Sequence, residues 1–168
     1  MNYRYFYNSP LGQIILSSDG ENLTGLWFEG QKHFDVSLLS ECIQKELPVF
    51  KDTVRWLDIY FSGKNPLFTV PTYFSGSPFQ ILVWEILKKI PYGETVTYGE
   101  IAEEIARQKE IAHMSAQAVG GAISKNPISI IIPCHRVMGA KGKPTGYSGG
   151  IEKKLALLRL ENPLFCKE

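Results

Sequence analysis

Cysteine and histidine are scarce in this sequence of 168 residues, which contains three of each. The cysteines lie far apart: Cys42, Cys134 and Cys166. The histidines are equally scattered: His33, His113 and His135. An odd number of widely spaced cysteines argues against a disulfide framework and against a zinc cluster. The sequence therefore predicts no metal site.

Long hydrophobic runs are also missing. No apolar run approaches the roughly 20 residues that a membrane-spanning helix needs. Residues 1–5 lack the apolar core of a signal peptide. We therefore expect a cytoplasmic protein that does not associate with a membrane.

A strong excess of either charge is absent, since the net charge is +1 at pH 7. The distribution is uneven, because residues 1–75 carry 6 Lys/Arg and 8 Asp/Glu whereas residues 76–168 carry 12 and 9. The basic excess in the second half is too small for strong non-specific binding to nucleic acid. It fits a modest face that contacts phosphate.

The first half of the chain has the pattern of a small sheet with one helix. Residues 3–7, 13–17 and 23–28 favour strands and are separated by turn residues, which predicts an antiparallel meander. Residues 48–62 place apolar side chains on one stripe and predict a helix, and residues 68–74 predict a further strand. Because this half shows no chemically distinctive group, we interpret residues 1–75 as a support domain.

The second half turns to helices whose starts carry capping residues. Ser77 with Gln80, and Thr97 with Glu100, have the spacing of capping boxes, and Ser115 precedes a further helical segment over residues 116–124. Two short helices joined by a polar break predict either a helix-turn-helix or plain helical packing. The pattern alone does not decide between the two.

The segment over residues 116–124 contains two adjacent glycines, Gly120 and Gly121. Each costs about 1 kcal/mol relative to alanine inside a helix, so we expect a close neighbour that offsets the cost. That neighbour is another helix, the backbone of a ligand, or both. In a DNA reader, small residues let a helix press into a narrow groove.

Residues 126–137 are the stretch around which the chain is organised. The β-branched run at residues 128–132 predicts a strand buried on both faces, which Pro133 should end because proline cannot donate to a ladder. Cys134 follows at the rim of this strand, where a thiol is either core filler or a nucleophile. The adjacent His135 and Arg136 favour the nucleophile, since a reactive thiol needs a titrating or positive neighbour.

These residues resemble the signature of a known family, the O6-alkylguanine-DNA alkyltransferases, also called methylated-DNA–protein-cysteine methyltransferases. The matching signature here is Pro133-Cys134-His135-Arg136-Val137. The resemblance extends, with near-constant spacing, through residues 79–84, 90–99, 118–122, 126–127 and 147–150. It covers most of residues 75–161, whereas the N-terminal half agrees only in layout.

The resemblance implies an α/β (α+β) fold with two domains. Residues 1–75 would form a ribonuclease-H-like antiparallel sheet with a helix, and residues 76–168 a helical DNA-binding and active-site domain with a winged helix-turn-helix. The implied activity is irreversible, single-turnover DNA repair, in which the alkyl group on guanine O6 moves to a cysteine. The implied partner is double-stranded DNA containing O6-alkylguanine, with O4-alkylthymine as a further candidate. We expect a monomer without cofactor or metal.

The resemblance assigns catalytic roles to four residues. Cys134 would be the acceptor thiolate, and His135 would act on it through a water molecule, because adjacent side chains on an extended chain point apart. Glu161 falls where the family has the acid that orients the histidine, which gives the orienting logic of a hydrolase triad. Tyr98 would assist departure of the guanine through its phenol.

A second set of residues is matched to substrate and DNA binding: Gln117, Ala118, Gly120, Asn126, Arg136, Val137, Tyr147 and Ser148. Tyr147 and Ser148 would line the pocket, and Asn126 would tie the helix-turn-helix to the active-site strand. The carbonyls of Cys134 and Val137 would accept hydrogen bonds from the exocyclic amine of guanine.

Gln117 departs from the family pattern. Many members carry at this position an arginine that fills the gap left when the target nucleotide rotates out of the stack. Glutamine can hydrogen-bond the orphaned base but brings no charge. We still expect base flipping, because O6 inside the stack cannot be reached by the thiol.

Two other functions remain open from the residues. A cysteine hydrolase built from Cys134, His135 and Glu161 would turn over repeatedly on an ester or amide. A non-catalytic binder would recognise damaged DNA only, and the presence of Cys134 argues against it.

Overall fold

A computed structural model describes residues 1–32, 34 and 40–165 of the chain. The chain divides into two compact units. The N-terminal unit comprises Met1–Phe74 with Pro127–Ser129, and the C-terminal unit comprises Ser75–Asn126 with Ile130–Glu168.

The N-terminal unit is built on a four-stranded sheet in the order β3-β2-β1-β4. The strands are β1 (Tyr3–Ser9), β2 (Gly12–Ser18), β3 (Leu23–Phe28) and β4 (Ile43–Gln44). The first three pair antiparallel, which confirms the predicted meander, whereas β4 pairs parallel with β1. The sequence did not predict β4, because a strand of two residues has no alternation to detect.

Helix α1 (Pro48–Phe61) supplies an apolar face that packs on this sheet. Phe50, Leu57 and Tyr60 are at most 1% exposed. The rings of Tyr5 in β1 and Phe50 stack with their centroids 5.7 Å apart. The helix predicted over residues 48–62 is therefore confirmed, and its apolar stripe is the contact that holds helix and sheet together.

The further strand predicted over residues 68–74 is wrong. Thr72 forms an isolated bridge with Leu23, supported by hydrogen bonds from Leu23 N to Pro71 O at 2.8 Å and from Tyr73 N to Leu23 O at 3.0 Å. Pro71 has no amide hydrogen, so a ladder cannot continue through it.

The C-terminal unit contains the helices α2 (Pro78–Lys88), α3 (Tyr98–Lys109), α4 (Ala116–Ser124) and α5 (Ile151–Glu161). Both predicted capping boxes are present, with Ser77 before α2 and Thr97 before α3. The side chain of Ser115 accepts hydrogen bonds from the first turn of α4, as predicted. Each of these helix N-termini is fixed by hydrogen bonds between residues no more than four apart, so the sequence alone predicts them.

Helices α3 and α4 form the helix-turn-helix and pack against each other and against α2. The indole nitrogen of Trp84 in α2 donates to the Ala122 carbonyl in α4 at 3.0 Å. Two short parallel strands, β5 (Val96–Thr97) and β6 (Val137–Met138), link the start of α3 to the segment after Cys134. This pairing places the helix-turn-helix and the cysteine segment on one framework.

The buried strand predicted over residues 128–132 is wrong. Ile128 forms an isolated bridge with Leu26, and the chain then turns, with Ile130 at φ 69°. The β-branched pattern predicted burial correctly, since three of its side chains are at most 1% exposed: Ile128, Ile130 and Ile132. It did not predict correctly that the segment pairs as a strand. A left-handed conformation at a β-branched residue is a strained outlier that costs about 1–2 kcal/mol.

Within the described part of the chain, no helix is both long and apolar enough to cross a membrane. The same residues contain no group of three or more His, Cys, Asp and Glu side chains that could hold a metal ion.

Candidate active site

Cys134 lies on a short 3₁₀ turn, Cys134–Arg136, and not at the end of a strand. The Cys134 amide donates to the Ile132 carbonyl at 2.8 Å. Successive side chains on such a turn diverge by about 120°, because it has about three residues per turn. Adjacent side chains therefore do point apart, as expected, but the cause is the turn and not an extended chain.

The Cys134 side chain is surrounded by polar groups and not by hydrocarbon alone, although the residue is only 6% exposed. The polar side chains of Asn126 and Tyr147 and the charge of Lys154 all act to lower the pKa of the thiol. Burial raises the pKa of the Cys134 thiol, and these three groups oppose that effect only in part. The resting thiol is therefore protonated and needs a base before it can attack.

Asn126 connects the helix-turn-helix to the cysteine segment. Its side-chain amide donates from Nδ2 to the Ile132 carbonyl at 2.8 Å, and the residue is 4% exposed. Asn126 follows the end of α4, so this bond joins the helix to the chain just before Cys134. The contact reaches a turn segment, where a strand was expected.

Lys154 is a buried lysine that the sequence reading missed. It is 0% exposed, and its Nζ donates to the carbonyls of Val137 at 2.6 Å and Thr145 at 2.8 Å. Burial lowers the pKa of Lys154 to about 8, while Cys134 acts to raise it. The sequence does contain a signal for its burial. Lys154 lies three residues after Ile151 and four before Leu158, which places it on the inward-facing stripe of α5.

Replacing Lys154 with methionine should displace the pH profile of Cys134 alkylation to higher pH. Methionine keeps the length but removes a charge that lowers the pKa of the thiol. A rise of one pKa unit makes transfer about tenfold slower below that pKa. The rate of Cys134 alkylation between pH 6 and 10 measures the displacement, with Lys153→Met as the matched control. A destabilised variant with the wild-type pH profile would assign Lys154 a structural role alone.

Glu161, the last residue of α5, joins His135 and Arg136 in a buried cluster. Its Oε2 lies 2.5 Å from His135 Nε2, and its Oε1 accepts from Arg136 Nε at 2.8 Å and from the Gly93 amide at 3.0 Å. Burial acts to raise the pKa of Glu161, but hydrogen bonds and charge from His135 and Arg136 hold it well below its usual range. Glu161 is therefore an ionised carboxylate.

The contact with Glu161 fixes the protonation of His135. Burial lowers the pKa of His135 against the raising effect of Glu161, so the imidazole is neutral at physiological pH. An ionised carboxylate only accepts hydrogen bonds, so Nε2 carries the hydrogen. The other ring nitrogen, Nδ1, is then the basic one, which suits a general base.

The assignment of Arg136 to the DNA-binding residues is corrected by the structure. Arg136 is 8% exposed, and its guanidinium donates to Glu161 and, from Nη1, to the Ile90 carbonyl at 2.7 Å. A guanidinium has five N–H donors in a fixed fork, which matches a carboxylate. Arg136 therefore positions Glu161 inside the protein.

Val137 and Ser148 also make internal contacts. The Val137 carbonyl accepts from Lys154, and the Cys134 carbonyl accepts from the Val137 amide. Each carbonyl oxygen has a second lone pair that a substrate amine can use. The Ser148 hydroxyl donates to the Ser124 carbonyl at 2.9 Å, which holds the residue against the end of α4.

An open groove of about 580 Å³ lies beside the start of α3, and we call it the α3–α4 groove. Tyr98, Gln117 and Gly120 line it, together with Lys141 from the turn after β6. Ala118, also assigned to DNA, is exposed on α4. The volume lies within the range of sites for small organic ligands, roughly 300–1,000 Å³.

The two glycines of α4 are not required by packing inside the protein. A Cβ added at Gly121 would meet nothing within 4 Å, and one at Gly120 would lie 3.7 Å from the Tyr98 ring, an ordinary contact. The structure therefore shows no steric requirement for glycine at either position. A ligand that approaches this face is the other explanation that the sequence left open.

Two family models match the chain almost end to end. The ribonuclease-like domain of 6-O-methylguanine DNA methyltransferase matches residues 2–78, and the DNA binding domain matches residues 78–163. The second match contains every residue assigned above to catalysis or binding.

Individual proteins agree with these models. A methylated-DNA–protein-cysteine methyltransferase of Methanosarcina acetivorans is 44% identical over 95% of this chain and 97% of its own length. The relative of the same name in Haemophilus influenzae is 41% identical over 95% and 86%. The crystal structure of Mycobacterium tuberculosis O6-methylguanine methyltransferase superposes with a TM-score of 0.83 at 40% identity, covering 100% of this chain and 97% of that one. The chain therefore belongs to the family of 6-O-methylguanine DNA methyltransferases.

Proposed function

We propose that this protein repairs O6-alkylguanine in double-stranded DNA by moving the alkyl group to Cys134, once per molecule. One observation carries the proposal. The Cys134 thiol is buried among Asn126, Tyr147 and Lys154, on the same turn as a neutral histidine that a carboxylate orients. Inert core cysteines have no need of such neighbours.

The chemistry proceeds in one displacement. His135, through Nδ1 and a water molecule, takes the proton of the Cys134 thiol, and Glu161 stabilises the imidazolium that forms. The sulfur attacks the alkyl carbon, so a carbon–sulfur bond forms while the bond from that carbon to guanine O6 breaks. The departing guanine anion takes a proton supplied through Tyr98. The thioether is stable, so the protein is not regenerated.

The helix-turn-helix presents α4 to the DNA. The exposed glycine face of α4 allows close approach to the backbone of a groove, and the nucleotide turned out of the stack enters beside Tyr98 and Gln117. The M. tuberculosis relative has been crystallised in complex with DNA, and that structure superposes with a TM-score of 0.82 at 41% identity, covering 96% of this chain and 93% of that one. Residues 1–75 act as a support domain and residues 76–168 carry both sites. The protein works as a cytoplasmic monomer.

Mass spectrometry of the intact protein tests the proposal. After incubation with duplex DNA containing one O6-methylguanine, we expect one methyl group per chain, on the peptide that holds Cys134, and a matching loss of the lesion. Repeated hydrolysis of a model ester without mass gain would identify a cysteine hydrolase. Binding of the damaged duplex with no mass gain would identify a non-catalytic binder.

Replacing Gly121 with alanine should stabilise the fold and weaken DNA binding. Alanine raises helix stability by about 1 kcal/mol, and its Cβ meets no protein atom within 4 Å. If α4 presses into a DNA groove, the same Cβ costs about 1–3 kcal/mol of binding free energy through overpacking. Urea unfolding and fluorescence anisotropy with duplex DNA measure the two effects. Increased stability with unchanged affinity would contradict the docking of this face.

A further inference from the structure

Lys141 is the one formally charged side chain among the described residues that line the α3–α4 groove. Tyr98 and Gln117 can offer hydrogen bonds there, but neither carries a charge. The part of the chain that the structure describes shows no salt bridge to Lys141. Its ammonium is therefore available to an anion that comes from outside.

The turn that carries Lys141 is tied to the start of α3. Thr97, the N-cap of α3, pairs with Met138 in the β5–β6 ladder. The Gly139 amide then donates to the Lys143 carbonyl at 2.7 Å, which closes the turn around Lys141. Tyr98 and Lys141 thus extend from one small ladder, so both are held at the same groove.

The backbone of Lys141 adopts a conformation that lysine does not favour. Its φ is 62° and its ψ is 24°, in the left-handed region, and the next residue, Gly142, has φ 72°. Such a conformation costs a residue with a side chain about 1–2 kcal/mol, and glycine adopts it without that cost. Strain of this kind is found where a functional constraint retains the side chain.

We propose that Lys141 binds a phosphodiester oxygen of the damaged DNA strand where that strand passes the α3–α4 groove. This inference rests on the proposed function, since it requires DNA as substrate. A lysine ammonium is a compact point charge that suits phosphate. It neutralises one phosphate beside the flipped nucleotide, at a groove whose other lining side chains are neutral.

The salt dependence of duplex binding tests this assignment. Lys141→Gln removes one phosphate contact, so the slope of log K against log salt should fall by about 0.9. Between 50 and 200 mM salt the variant should then lose roughly threefold less affinity than the wild type. Lys141→Arg should retain the slope. Lys143→Gln, two residues along and outside the groove lining, is the matched control and should also retain it.

Methyl transfer separates this inference from the proposed function. With damaged duplex as substrate, Lys141→Gln should slow transfer at low protein concentration. With free O6-methylguanine base, which has no phosphate, it should react at the wild-type rate. If the wild type transfers methyl groups and Lys141→Gln keeps the wild-type salt slope, the role of Lys141 alone is overturned. Equal slope losses in the Lys141 and Lys143 variants would overturn it as well. Absence of transfer by the wild type would instead overturn the proposed function.

Discussion

Replacing Cys134 with alanine is expected to abolish methyl transfer completely while duplex DNA still binds. The sulfur is the atom to which the new bond forms, so no neighbouring group can substitute for it. Binding should persist, because the exposed side chains of Gln117 and Lys141 do not depend on the thiol. Intact mass after incubation with O6-methylguanine duplex measures transfer, and fluorescence anisotropy measures binding.

Cys42→Ala provides the matched control for that experiment. Cys42 is also a buried free cysteine, at 5% exposure, but it belongs to the N-terminal unit. The control should accept one methyl group per chain at the wild-type rate. Methyl transfer to Cys134→Ala, or its loss in Cys42→Ala with the fold intact, would show that the acceptor is a different residue.

Replacing Glu161 with glutamine is expected to destabilise the protein by about 3–5 kcal/mol, the usual cost of breaking a buried ion pair. The change leaves the buried guanidinium of Arg136 without its counter-charge. Both carboxylate oxygens accept hydrogen bonds here, and the amide nitrogen that replaces one of them cannot accept. In the molecules that remain folded, loss of the oriented base should slow transfer by about 10²–10⁴-fold. Urea unfolding and single-turnover kinetics at low temperature measure the two effects.

Acid unfolding gives a second readout that does not depend on how well the variant folds. Because the pKa of Glu161 lies below its ordinary value of 4.5 in the folded protein, its stabilising contribution is present above pH 4.5. That contribution is lost as the pH falls below 4.5 toward the folded-state value. Glu152→Gln, at the exposed start of the same helix, should keep the wild-type acid profile and lie within about 0.5 kcal/mol of its stability. A wild type with no loss of stability below pH 4.5 would contradict the ionised cluster.

Features held by nearby residues were predictable. The capping boxes at Ser77 and Thr97 close within four residues, and the meander of β1, β2 and β3 follows from short turns, so both are confirmed. The family signature around Cys134 is also local and identified the reacting thiol as a candidate. The burial of residues 128–132 was also predictable from the sequence. The strand was not, because a buried apolar run has the same composition with or without a partner strand.

The sequence by itself therefore determined the helices, the meander and the family, because each rests on short spacings along the chain. Only the tertiary structure decided which way side chains near the cysteine point. Glu161 contacts Arg136, which is 25 residues away in the sequence, and the Gly93 amide, which is 68 residues away. Lys154 contacts the Val137 carbonyl across a separation of 17 residues. No periodic pattern encodes such distances, because the packing of α5 against the turn sets them. That packing turned Arg136 inward and placed a lysine beside the thiol.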